Sequence, residues 1–442
     1  MKTKKNISIT LKAVIVGVLT LLLLIPGAMV QDLIYERQER STETIERINE
    51  KWSNEQTLCG PILSIPYTAI ETVKDKEILR TKHVLNITPE ELNIDAKLYP
   101  EERHFGIYKT ILYKSKIELS GAFKNREFKD TDKLIYHLDK AYITLGVSDL
   151  RGVTENLNFN LNGKNYTNSS TGPDNYVATV YLKKSLVVDV DDAGMFQQGK
   201  DLTFDCTLSL NGSSSINFIP IGKTTKVLVE GDWSAPGFIG NFSPDHLPTD
   251  SGFSAQWKVL SFNRNISETW VDFMADGINE SSFGVSLVSP VDHYQQNMRS
   301  AKYAVMFIGL TFMLFFFVEV ITRKRIHPIQ YLLVGIALIL FYSLLLSISE
   351  QLGFAWAYLI ASTAIITLIT LYAYSVFKNK THTVVLAFIL GTLYMFLYTI
   401  LQLEDVALLI GSIGLFVILA VVMYFSRKIA WYKQEELPEN GE

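Results

Sequence analysis

Residues 303–325 read YAVMFIGLTFMLFFFVEVITRKR. From Tyr303 to Ile321 a single charge, Glu319, interrupts the apolar run, and Arg323, Lys324 and Arg325 close it. A run of about 18 apolar residues is long enough to cross a hydrocarbon core of roughly 30 Å as a helix. Helix is the expected form, because backbone in hydrocarbon satisfies its own hydrogen bonds. Five further runs meet the same criterion, at 13–30, 329–348, 354–377, 383–401 and 406–425. The expected fold class is a membrane α-helical bundle of six transmembrane helices. Residues 31–300 then form one large domain inserted between the first and second helices.

The flanking charges orient the spans. Lys2, Lys4, Lys5 and Lys12 precede or open the first, Arg323–Arg325 follow the second, Lys378 and Lys380 separate the fourth from the fifth, and Arg427 and Lys428 follow the sixth. The opposite loops, 349–353 and 402–405, hold no Lys or Arg. Cations concentrate on the cytoplasmic side, so both termini are expected inside and residues 31–300 outside. The expected division is 1–30 for the N-terminus and first helix, 31–300 for the outer domain, 301–426 for a five-helix bundle, and 427–442 for a cytoplasmic tail. A basic start and the Ala28-Met29-Val30 stretch also fit a cleavable signal, but the long apolar run and the bulk of Val30 favour an uncleaved anchor.

Residues 31–300 carry 28 Lys and Arg against 37 Asp and Glu, a net charge of −9. Such a surface repels nucleic acid and anionic lipid, and no nucleic-acid motif is present. Asp32 to Asn54 has a helical pattern, with Ile34, Ile45, Ile48 and Trp52 near one face and Glu36/Arg40 and Glu43/Arg47 spaced i,i+4. The first helix is thus expected to continue as a stalk that Gly60-Pro61 stops. Beyond it, GIYKTILYKSKIEL at 106–119 alternates as a half-buried strand does. Similar runs at 62–73, 134–147, 176–190, 202–210, 224–232 and 255–262 make the domain mainly β, as a sandwich or as two lobes. The stalk charges Glu36, Arg37 and Arg40 and the re-entry charges Asp292, Arg299 and Lys302 are expected at one interface. Arg37–Asp292 and Glu36–Arg299 are the anticipated pairs.

No catalytic, metal or cofactor residue is recognisable in the sequence. Seven scattered histidines lack metal-binding spacing. Asp189-Val-Asp191-Asp192-Ala-Gly194 starts like a calcium loop, but Ala193 and Lys200 occupy ligand positions, so an acidic turn is the expectation. There is no nucleophile elbow or phosphate loop. Cys59 and Cys206 sit in no redox motif, and spacing alone leaves their pairing open. Glu319 and Arg323 stand i,i+4 in the favourable order, which suggests an ion pair at the membrane interface. Tyr303, Trp356, Tyr424 and Trp431 fit interfacial anchoring.

An ordered set of strings resembles a known family. It begins with Glu36-Arg37-x-x-Arg40, then Trp52-x-x-x-Gln56-x-x-x-Gly60-Pro61 and Pro66. Arg103-x-x-Gly106-Ile-Tyr108 and Asp149-Leu-Arg151-Gly152 follow. Asp292-x-Tyr294-Gln295-x-x-x-Arg299-x-x-Lys302 enters the second span, and His327-Pro328-Ile-Gln330-Tyr331 enters the third, which closes on Glu350. Together they resemble the CreD family of bacterial inner-membrane proteins, also called cell envelope integrity or colicin-tolerance proteins. His104 stands where the resemblance leads one to expect a second arginine, which speaks against a paired-arginine site there.

The resemblance implies a role in envelope integrity, induced in some bacteria by a two-component system that responds to nutrients or β-lactams. It supplies no reaction and no residue roles. The leading expectation is a non-enzymatic envelope protein whose outer domain binds or stabilises an envelope protein or cell-wall component, with the lipid bilayer as its other partner. A membrane subunit of a transporter and an envelope hydrolase with an unrecognised site are the alternatives.

Overall fold

Pro26 lacks the N–H that would close the helical ladder on residue 22, and a break in the first apolar run falls there. In the computed structural model, α1 spans Ile9–Leu22 and α2 spans Leu24–Trp52. The structure describes residues 9–427 apart from 73–77, 168–169, 172–183, 198, 249–251, 273–278, 288–292, 323–325 and 404–406. Contacts divide the chain into two compact units, Met1–Ser41 with Val291–Glu442, and Thr42–Pro290.

The first unit is helical. Beside α1 and the start of α2 it holds α3 (His293–Lys302), α4 (Ala304–Thr322), α5 (Pro328–Leu352), α6 (Phe354–Phe377), α7 (Lys380–Gln402) and α8 (Ala407–Ser426). Among the described residues four helical stretches, Leu11–Trp52 (α1 with α2), α5, α6 and α7, are long and apolar enough to cross a membrane, and α3 with α4, bent by 46°, is a fifth if the pair counts as one span. The apolar part of α8, Leu409–Tyr424, is shorter. The core is aromatic: Phe341 packs edge-on against Tyr342, Tyr358 and Tyr394, and Phe307 against Tyr394. The stalk pairs Arg40–Glu36 (3.0 Å) and Arg47–Glu43 (3.4 Å) form within α2. Glu36 is therefore engaged along its own helix, and the anticipated Arg37–Asp292 pair lies outside the described residues.

The second unit is two β-sheets that share one hydrophobic core. In the larger sheet Gln56–Thr72 is central, parallel to Ser215–Ile219 and antiparallel to Ala141–Val147 and Ile78–Ile87. In the other, Glu91–Phe105 and Tyr108–Phe123 form a long hairpin, flanked by Leu202–Ser213 and, in parallel, Thr224–Gly231. The alternation is plain in Leu92, Ile94, Ala96 and Leu98, all buried, with Glu91, Asp95 and Lys97 exposed. Ile65, Leu119, Phe159, Val229 and Phe283 draw both sheets into that core, so the sandwich rather than the two-lobe expectation describes this unit.

Two expectations are corrected. The stalk helix ends at Trp52, and Gly60-Pro61 lies inside the strand Gln56–Thr72, at a bulge in its pairing with Ala141–Val147. There Gly60 has φ +133°, and a side chain would press on the Thr144 carbonyl, so extended backbone accommodates the dipeptide only as glycine. The run 134–147 is two strands, Leu134–Tyr136 and Ala141–Val147, separated by a 3-10 turn at Leu138–Lys140. Cys59 and Cys206 are buried free thiols on different sheets.

Candidate functional site

The sequence His327-Pro328-Ile329-Gln330 is a helix start with reciprocal caps. The Gln330 side chain accepts from the His327 N–H (2.9 Å), and His327 Nδ1 accepts from the Ile329 N–H (3.4 Å). Pro328, at the first helical position, has no N–H to satisfy. This start sets Tyr331 on the face of α5 toward α4, where its hydroxyl donates to Glu319 Oε2 (3.0 Å). The Ile326 N–H donates to Glu319 Oε1 (3.0 Å), and Lys12 of α1 forms an ion pair with the same oxygen.

Glu319 is thus a buried carboxylate held by donors from three elements. Its expected partner Arg323 lies outside the described residues, and the partner found is Lys12, 307 positions away. Pairing across that separation carries no local sequence signal. The close approach of α1 rests on Gly335 of α5, where any side chain would overlap Leu23 Cδ1 and crowd Phe312 (2.8 Å). A cavity of about 300 Å³ opens beside the pair, walled by Ile15, Val16, Ile326 and Pro328, with Lys12, Glu319, Tyr331 and His327 at its polar side.

At the opposite end of the same bundle, the Tyr294 hydroxyl donates to Glu350 (3.1 Å), and Asn297 Nδ2 donates to Ser349 Oγ and the His293 carbonyl (2.8 Å each). Gln295 and Lys302 are exposed on α3, and Arg299 is half-buried. Asp292 lies outside the described residues.

A third group gathers in the β unit. Arg151 grips Asp149 with three side-chain bonds (2.9, 3.1 and 2.7 Å) and donates to the Glu50 carbonyl, one of the last that α2 leaves unpaired. Asp149 also accepts from the Asn54 N–H (3.0 Å). Gln56, wholly buried, donates to Ser53 Oγ and to the Asp149 and Asn211 carbonyls, and accepts from Ser148 and the Asp149 N–H. Gly152 lets these strands close up, since a Cβ there would overlap the Asn211 carbonyl. Burial alone would raise the Asp149 carboxyl, but the bonds from Arg151 and Asn54 outweigh it and hold the group at about 2. Trp52, half-buried, is the last residue of α2.

Of the remaining motif residues, Arg103 lines a small pocket together with Trp52. Pro66 pairs with Val84 in the sheet, while Arg103 (to Glu101, 2.7 Å), Gly106 (φ +62°) and Tyr108 form the tip of the long hairpin. Arg37 stays on α2. The acidic turn at Asp191 and Asp192 faces Lys164 (3.2 and 3.8 Å).

Apolar helices long enough to cross a bilayer, with a large two-sheet β unit between the first of them and the rest, define a membrane protein. The chain belongs to the family of the inner membrane protein CreD, matched over residues 8–432. It is 32% identical over 418 residues to the "Inner membrane protein CreD" of Escherichia coli (strain K12), covering 93% of this chain and 91% of that one. The M1 zinc metallopeptidase structure from Deinococcus radiodurans is similar over 38% of each chain at 7% identity with a TM-score of 0.19, and that likeness carries no argument.

Proposed function

We propose that this chain is a six-span protein of the bacterial inner membrane, with both termini in the cytoplasm and residues 31–300 in the periplasm. Its outer β domain binds or stabilises an envelope component without catalysing a reaction, and so serves envelope integrity. One-sided Lys and Arg support the orientation, and the name of the Escherichia coli relative supports the membrane. The observation that carries the binding reading is the Gln56–Asp149–Arg151 clamp. These side chains spend their hydrogen bonds on fastening the end of α2 to the β-sheets. The family motif in this unit thus supports architecture, a scaffold whose surface is left for recognition.

In-cell photo-crosslinking from surface positions of 31–300 tests this reading. Recurrent capture of one envelope protein or cell-wall component is the expected result, and the absence of specific capture at every position would overturn it. A specific observation also favours the transporter alternative. Glu319 is buried in the bundle, and the hydroxyls of Thr311, Tyr342 and Tyr394 are buried with no protein partner among the described residues. Buried groups of this kind mark transport paths in other membrane proteins. Co-purification of an ATPase with the full chain would move the assignment there.

A further inference from the structure

We propose that the cavity beside the Lys12–Glu319 pair binds the phosphate of an anionic phospholipid, with the acyl chain leaving along Ile15 and Val16. The inference rests on the orientation proposed above, which puts this end of the bundle at the cytoplasmic leaflet, where anionic lipids give the surface its negative potential.

Glu319 has both oxygens engaged, by Lys12, Tyr331 and the Ile326 N–H, so it has little left to offer a ligand. Lys12 has three N–H donors and gives one to Glu319; its side chain keeps 23% of its surface exposed. In His327 the Nδ1 accepts from the Ile329 N–H, so the neutral ring carries its proton on Nε2, and the residue is exposed. The Tyr331 proton is spent on Glu319. The donors left at the polar side, the remaining Lys12 N–H groups and the His327 Nε2–H, favour an anion there.

The walls choose among anions. Ile15, Val16, Ile326 and Pro328 give the cavity an apolar lining, and its volume of about 300 Å³ lies at the lower end of the range for small-molecule sites. A nucleotide or sugar phosphate would set polar atoms against those walls and leave them unpaired, at a cost. A lipid without phosphate would leave the free N–H groups of Lys12 unmatched, and a zwitterionic one would set its fixed ammonium charge against the Lys12 cation. An anionic headgroup continuous with hydrocarbon satisfies both halves.

The test uses the full chain in neutral detergent and native mass spectrometry, with dioleoyl phosphatidylglycerol, dioleoyl phosphatidylcholine and inorganic phosphate as probes. The wild type is expected to retain one phosphatidylglycerol about fivefold more strongly than phosphatidylcholine. Val16→Trp, which fills the cavity and leaves Lys12 and Glu319 in place, should remove that preference. Ile413→Trp, on the exposed face of α8, should keep it. If Val16→Trp unfolds, His327→Ala replaces it, with an expected loss of about twofold to threefold. Equal retention of the two lipids, an unchanged preference in the cavity variant, or displacement of the lipid by inorganic phosphate (which marks a site for the free anion) would each overturn the proposal. Detergent exposes both faces of the protein, so this result stands or falls separately from topology mapping.

Discussion

Single buried polar groups carry the sharpest consequences in this chain. Gln56 meets five hydrogen-bond partners in a fully buried position, with one of its two N–H groups shared, and Gln56→Ala should lower stability by about 3 kcal/mol, read as chemical unfolding of the full chain by tryptophan fluorescence. Asp149 has its carboxyl held at about 2, below its ordinary 3.8. Its contribution to stability is therefore fully present above pH 4 and is lost as the pH falls toward 2. Asp149→Asn should flatten that part of the acid-unfolding profile, and an unchanged profile would refute the clamp. Lys12→Met should cost about 3–5 kcal/mol because it strands a buried carboxylate, while adding Glu319→Gln should recover most of the lost thermal stability. Recovery is expected because the neutral glutamine oxygen can still accept from the Ile326 N–H while its amide N–H donates to the Tyr331 hydroxyl oxygen.

At the scale of elements, the informative features are where helices end and where they touch. The approach of α1 and α2 to α5 depends on the missing side chain at Gly335, against Leu23 and Phe312. Gly335→Leu should overpack this contact, at a cost of about 1–3 kcal/mol, and should lower the thermal midpoint of the detergent-purified chain. The end of α2 shows how a local rule fails. Glycine followed by proline stops a helix in isolation, but here α2 ends at Trp52, where Arg151 from a distant turn caps it at the Glu50 carbonyl. Gly60-Pro61 then serves as a bulge within a strand.

For the whole molecule, the thiols report on the packing of the β unit. Burial pushes both Cys59 and Cys206 up to about 12, so neither offers thiolate at neutral pH. Both should resist alkylation in the folded chain and react after denaturation, with no shift in mobility between reducing and non-reducing gels. A mobility shift would show a disulfide and a different arrangement of the two sheets.

The helical runs, the alternating strands and the separation of a polar β domain from an apolar bundle follow from local sequence alone. Those are properties of short segments, set by the 3.6-residue and two-residue periods of burial. The family motif was legible too, as strings in order, but what the strings are for was not. Only the tertiary structure decided that Gln56 meets Asp149 and Arg151, that both sheets share one core, and that Glu319 takes Lys12 as its partner. Each of these joins residues far apart in the chain. The free energy that selects them comes from satisfying buried donors and acceptors and excluding water once the elements have packed, and no local pattern records that.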